Sequence, residues 1–160
     1  EGYTYARSLI GATCCGAAET ALRMGVEYIR QRKSFGKPLA AYQGINFPAA
    51  ERYTDIESAR LLTYKAAWMA DQMYEKGQFK HKDIALWGAM SKLRAPIMAF
   101  ETFNEVANWL GAMGYSKEYP IEMGIRGVRS YSIGAEGGMN IMRMIIAREL
   151  IGNEYTNPRQ

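Results

Sequence analysis

Apolar residues return every three or four positions along most of the chain, and no segment alternates between apolar and polar as a half-buried strand does. The pattern predicts an all-α protein. The first periodic stretch, residues 4–32, places Leu9, Ala12, Gly16, Ala17, Ala21, Met24 and Tyr28 on one stripe and Glu19, Arg23 and Glu27 on the other side. The small residues of that stripe would let a partner helix come close. Ser34-Phe35-Gly36-Lys37-Pro38 breaks the period, since Gly loosens the backbone and Pro removes a donor and biases Lys37 away from helix. A second helix is predicted over 45–74, with Pro48 tolerated in its first turn and Ile45, Ala49, Tyr53, Ile56, Ala59, Ala66, Ala70 and Met73 facing inward. A third is predicted over 82–110, with Ala85, Ala89, Leu93, Ala99, Phe103 and Leu110 on its inner side and Pro96 expected to kink it. Gly111-Ala112-Met113-Gly114 stops it. A short helical turn after Pro120 and a last helix over 139–151 complete the elements, joined by a Gly-rich link over 133–138. Three long helices with short connections fold most simply as an antiparallel, up-down four-helix bundle without a sheet, the last helix being the fourth member. The expected domain is 1–152, with 153–160 as a polar C-terminal tail.

Composition narrows the class. The 160 residues are 48% hydrophobic and 22% charged, which suits one domain with a sizeable core. No apolar run approaches the ~20 residues that cross a bilayer, and the first residues carry neither the basic patch nor the apolar block of a signal peptide. A soluble intracellular protein without a membrane span is expected. The chain opens without Met on a segment that soon becomes periodic, which suggests a piece of a longer protein. Lys and Arg number 20 against 16 Asp and Glu, so the net charge of +4 tolerates an anionic ligand. The basic residues alternate with acids and form no aromatic-interleaved patch, so no nucleic-acid partner is expected. Cys14 and Cys15 are neighbours, and adjacent helical residues point about 100° apart, so they read as reduced packing residues. His81 is the single histidine and has no Glu three positions before it, which removes the parts of a di-iron bundle, a His-based zinc site or a catalytic triad. No metal is expected. Gly-x-Gly-x-x-Gly, a phosphate loop and internal repeats are absent from the sequence.

Three polar segments fall at the helix junctions. The first, Arg32-Lys33-Ser34-Phe35-Gly36-Lys37-Pro38-Leu39 followed by Tyr42-Gln43, offers cations beside backbone N–H groups and would seat phosphate oxygens, or it is a solvated helix end whose cations complement the dipole. The second, Asn108-Trp109-Leu110-Gly111-Ala112-Met113-Gly114-Tyr115, is either a helix stop or a place where a ligand comes close to small residues. The third centres on Glu136 between Gly134-Ala135 and Gly137-Gly138. Glycines leave space around the acid for a substrate, and a carboxylate in a dry pocket is a stronger base than one in water. The alternative is an acid placed near the positive end of the next helix.

In this order the segments resemble the C-terminal helical domain of the flavin-dependent acyl-CoA dehydrogenases, from Tyr3 to about Gly152. The family's Arg-x-x-Phe-Gly-x-x-Leu/Ile-x-x-x-Gln is similar to Arg32 through Gln43, and its Ala-Arg-Leu-Leu to Ala59-Arg60-Leu61-Leu62. Its Gln-x-x-Gly-Gly-x-Gly-Tyr/Phe element resembles 108–115, Tyr-Pro-x-Glu appears as Tyr119-Pro120-Ile121-Glu122, and Glu-Gly-Thr with a later Ala-Arg as Glu136-Gly137-Gly138 and Ala147-Arg148.

The resemblance implies dehydrogenation of an acyl-CoA thioester to a trans-2-enoyl-CoA. Glu136 takes the α-proton as base, and the β-hydrogen leaves as hydride to FAD. It assigns FAD contacts to Arg32, Lys33, Ser34, Tyr42 and Gln43, to Asn108, Trp109, Leu110, Gly111 and Ala112, and to Gly138, Met139 and Asn140. Substrate contacts fall to Thr4, Arg7 and Gly137. It further implies a homo-oligomer, dimer or tetramer, sharing cofactor sites between subunits, an electron-transfer flavoprotein as acceptor, and a bacterial cytoplasm or mitochondrial matrix as the setting. An oxidase of the same fold that passes electrons to oxygen, and a non-catalytic helical oligomerisation module, are the alternatives.

Four departures matter. Tyr3-Thr4 replaces the usual aromatic-Asp, Asn108 the usual Gln, and Arg126-Gly127 the Arg-Asp pair, while Tyr-Glu-Gly-Thr has become Ala135-Glu136-Gly137-Gly138. The last change removes a pocket wall and a hydroxyl near the flavin, so a wider or differently shaped acyl pocket is expected.

Overall fold

In the computed structural model, which describes residues 2–157, the three long periodic stretches form α1 (Gly2–Gln31), α2 (Gln43–Lys76) and α3 (His81–Leu110). Gly77 ends α2 in the left-handed region at φ 66°, its N–H reaching the Met73 carbonyl at 3.0 Å. At the start of α3 the Asp83 carboxylate accepts the Lys80 N–H at 3.0 Å, occupying a donor that the helix leaves free. The chain continues through α4 (Ala112–Tyr115), α5 (Ile121–Ile133), α6 (Met139–Ile151) and α7 (Asn153–Thr156). The short α7 occupies the first part of the segment expected to be a polar tail, and 158–160 lie outside the described residues.

Cross-helix contacts fix the directions. Glycines on α1 and α3 set the spacing of that pair: a Cβ at Gly88 would lie 3.1 Å from the Thr4 carbonyl, one at Gly11 2.2 Å from Ser91 Oγ, and one at Gly25 2.9 Å from both Trp109 and Val106. Partner numbers rise together, so α1 and α3 run parallel. On α2 they fall as those on α3 rise: Thr63 meets Ser91 at 2.8 Å, Asp55 meets Arg94 at 2.8 Å, and Arg52 meets Glu101 at 2.9 Å. α2 is therefore antiparallel to both, the up-down order expected of short connections.

The fourth member is made of two helices. A Cβ at Gly124 of α5 would collide with Phe103, while Gly134 at its end meets Lys92. Glu149 of α6 reaches Lys82 at 3.7 Å. α5 thus descends along the C-terminal half of α3 and α6 along the N-terminal half, with a break between them opposite the middle of α3. Periodicity predicts only a short turn after Pro120, with the last helix as the whole fourth member. α5 has an amphipathic pattern, burying Ile121, Val128 and Ser132, but its glycines at 124 and 127 weaken the helical signal.

α3 carries the core and is buried around most of its circumference, Ala89, Ala95, Met98, Ala99, Val106 and Trp109 among its buried residues. Pro96 is fully buried inside it, with helix on both sides. The stripe read on α1 is rotated from the true one: Leu9 is 53% exposed and Ala12 and Gly16 face outward, while Ile10, Cys14, Ala18 and Leu22 enter the core. Small and apolar residues cover much of α1, so periodicity alone does not choose the arc. Close approach at Gly11 and Gly25 does. Tyr53, read as inward, is 59% exposed, because the neighbouring Arg52 and Asp55 take the contacts with α3.

One small sheet departs from the expectation of none. β1 (Lys33–Ser34) and β2 (Lys37–Pro38) pair antiparallel around Phe35-Gly36, both in the left-handed region at φ 47° and 83°, the conformation of a two-residue hairpin turn. Two-residue strands are too short to show a period of two.

Two expected outcomes follow from this packing. Gly11→Ala puts a methyl group where the buried Thr63 and Ser91 hydroxyls already meet, and should lower stability by about 1–3 kcal/mol in thermal or urea unfolding. Cys14 and Cys15 are buried free thiols, and burial, with Cys15 adding and Lys92 opposing, pushes the Cys14 thiol up from 9.0 to about 12. The unfolded chain ionises this thiol first, so stability should fall as pH rises from 9 towards 12, and Cys14→Ala should flatten that fall in urea titrations across the window.

Candidate functional site

The break between α5 and α6 is held from two sides. Lys92, in the middle of α3 and fully buried, donates from Nζ to the carbonyl of Gly134 at 3.1 Å and to the carbonyl of Gly137. Arg7, near the start of α1, donates from Nε to the carbonyl of Glu136 at 3.3 Å. Turning these carbonyls toward two cations requires a reversed backbone, and Ala135, Glu136 and Gly137 adopt φ of 51°, 52° and 102°. Such angles are routine for Gly alone, so a neighbouring Ala and Glu there mark a turn imposed by its surroundings.

Glu136 is half-buried, and its Oε2 is buried without a hydrogen bond among the described residues. Burial pushes the Lys92 ammonium below its usual range and Arg7 pushes the same way, while Glu136 and Cys14 oppose. Burial also lowers the Arg7 guanidinium, with Glu136 opposing. Both cations therefore feel the Glu136 carboxylate, although their hydrogen bonds go to the backbone. Of the other residues assigned to substrate, Thr4 packs its carbonyl against Gly88, and Gly137 follows Glu136 in the turn, a Cβ there standing 3.3 Å from Ile141.

A second group gathers where α1 and α3 end. Arg32, Leu39 and 109–113 line a cleft of about 410 Å³ together with Tyr28. Gly111 turns there at φ 60° with open space where a Cβ would stand, and Asn108 lines the adjoining cleft beside Glu122. Trp109 and Leu110 are buried, and Trp109 Nε1 donates to Glu105 at 2.9 Å, so these two present backbone rather than side chain to a ligand. In the hairpin, the Tyr42 hydroxyl donates to the Ser34 carbonyl at 2.7 Å, and the Lys37 ammonium stands 4.3 Å above the Tyr42 ring. Lys33 and Gln43 are exposed. A guanidinium, open backbone at Gly111 and apolar walls form a donor set that fits the phosphates and flat rings of FAD. The remaining assigned residues lie by Glu136: Gly138 is the N-cap of α6, Met139 begins it, and the Asn140 side-chain oxygen accepts from Arg143 at 2.9 Å.

The structure does not bring the two groups together. Arg7 and Arg32 flank almost the whole of α1, roughly 37 Å at ~1.5 Å per residue. Arg126, which lacks the expected Asp, pairs bidentately with Glu122 at 3.1 and 3.2 Å. Lys92 was missed by the sequence reading. It has a signal: it falls between Ala89 and Ala95 on the apolar arc of α3, where a cation is out of pattern.

Comparison with known proteins agrees with the motifs. The family described as "Acyl-CoA dehydrogenase, C-terminal domain" matches residues 1–151. The probable acyl-CoA dehydrogenase YngJ of Bacillus subtilis is 34% identical over 145 residues, 91% of this chain and 36% of that protein. The benzylmalonyl-CoA dehydrogenase of Aromatoleum aromaticum is 35% identical over 144 residues, 90% of this chain and 36% of that protein. The solved butyryl-CoA dehydrogenase of Megasphaera elsdenii superposes with a TM-score of 0.81 at 34% identity, covering 91% of this chain and 36% of that one. The chain thus spans about a third of the length of these relatives. With its all-α fold and matching motifs, it belongs to the acyl-CoA dehydrogenase family, as the C-terminal domain.

Proposed function

We propose that the protein containing this chain is an FAD-dependent acyl-CoA dehydrogenase, in which Glu136 removes the α-proton of an acyl-CoA thioester on the way to a trans-2-enoyl-CoA. One observation carries the reading: at the family's glutamate position a carboxylate oxygen is buried and makes no hydrogen bond among the described residues. A carboxylate oxygen without a partner keeps its lone pairs free to meet a substrate proton. Arg7 and Lys92 bond to the backbone around the acid, so they fix its place without occupying its oxygens.

Bound FAD supplies the acceptor for the β-hydrogen, taken as hydride. On this chain Arg32, Lys33, Ser34, Tyr42, Gln43 and the backbone of 108–112 would hold one cofactor, and 138–140 would approach another beside Glu136. The roughly 37 Å along α1 exceeds the reach of one dinucleotide, which supports a homo-oligomer whose sites take residues from two subunits. An electron-transfer flavoprotein is the acceptor assigned with this function. The relatives act on acyl groups as unlike as butyryl and benzylmalonyl, and Ala135 before Glu136 favours a wide pocket, so no chain length is assigned.

Glu136→Gln in the full-length enzyme keeps nearly the same volume and should leave folding and flavin content unchanged. Turnover should fall by at least ~10²-fold, and acyl-CoA should bind without bleaching the flavin absorbance. Near-normal turnover would place the base on another residue, and loss of flavin would make Glu136 a structural neighbour of the cofactor.

A further inference from the structure

The geometry points to Lys92 as the positioning residue for Glu136: we infer that its buried ammonium, by binding the carbonyls of Gly134 and Gly137, holds the turn that aims the carboxylate. This inference rests on the reading of Glu136 as the base. Lys92 is fully buried on the arc of α3 that otherwise carries Ala89, Ala95 and Ala99, where a methionine or leucine would continue the apolar surface without the penalty of burying a charge. Its hydrogen bonds reach across to another segment and close on the two residues that bracket Ala135 and Glu136.

The break between α5 and α6 leaves these carbonyls without helical partners. With the ammonium removed, the exposed Gly134 and the half-buried Gly137 lose the donor that ties them together, and Ala135 and Glu136 are free to rotate out of the left-handed region, which is strained for both. That rotation carries the Glu136 side chain with it. Arg7 holds only the middle carbonyl, at 3.3 Å, and so cannot fix both ends of the turn. A compact ammonium suits this task better than a planar guanidinium, because its donors rotate to meet two carbonyls in one small space.

The test compares Lys92→Met with Glu136→Gln in the full-length, FAD-loaded enzyme, reading steady-state kinetics and backbone hydrogen exchange by mass spectrometry. Lys92→Met should lower kcat roughly 10- to 100-fold with KM for the acyl-CoA nearly unchanged, the loss expected of a displaced reacting group. Exchange in peptides spanning 133–140 should become faster, with the rest of the protein unchanged. Glu136→Gln should lose turnover while exchange over 133–140 stays at the wild-type rate. Unchanged exchange over 133–140 in Lys92→Met overturns the proposal, and so does faster exchange with unchanged kcat. If Lys92→Met does not fold, Lys92→Gln is read by the same two measurements, and failure of both to fold makes Lys92 a core-stability residue and overturns the proposal. Full turnover in Glu136→Gln would reject Glu136 as base, while the exchange data would still report whether Lys92 holds the turn.

Discussion

A single buried ammonium sets the terms for the rest of this domain. Charge in a protein interior is tolerated only where dipoles replace the water it has lost, and here the dipoles are carbonyls from a helix row that stops opposite the charge. The dependence is mutual. Without the interruption Lys92 would lose these two carbonyls, and without Lys92 the carbonyls of Gly134 and Gly137 would lose the donor they share. The fourth member of the bundle is therefore two helices, and the one acid among the described residues with an unengaged buried oxygen stands at the gap between them.

That arrangement needs α1, α2 and α3 to sit close enough to seal the middle of the bundle, and small residues achieve it. Gly11, Thr63 and Ser91 meet where the three helices converge, with a hydroxyl-to-hydroxyl hydrogen bond in place of larger side chains. Gly88 brings the beginning of α1 onto α3, which places Arg7 within reach of the Glu136 carbonyl. Packing and site chemistry are thus linked through backbone spacing: the residues that contribute least volume determine where a guanidinium on one helix can reach.

The long helices were legible because three- and four-residue spacing persists over thirty residues or so, and it survives Pro48 and Pro96. Their inward faces were less so. α1 is apolar or small around much of its surface, and its true face is chosen by partners that periodicity does not contain, which is why Leu9 and Gly16 were misplaced. α5 was underestimated because Gly124 and Gly127 look like breakers, although Gly124 lets Phe103 of α3 come close. The hairpin at Phe35-Gly36 is a matter of two left-handed residues, visible in sequence only as a turn. At the site, the glycines around Glu136 identified the turn, whereas Lys92 was hidden by distance along the chain and is recognisable only as a charge on the wrong side of a helix.

The length of α1 has a genetic consequence. Under the proposed function each working site joins the carboxylate of one subunit to the Arg32 end of its neighbour, so one subunit's defects are divided between two sites. Copies damaged at opposite ends, one at Arg32 and one at Glu136, would assemble into a mixed oligomer with one site carrying both lesions and one carrying neither. Two inactive alleles could then complement each other, whereas two alleles with lesions at the same end could not.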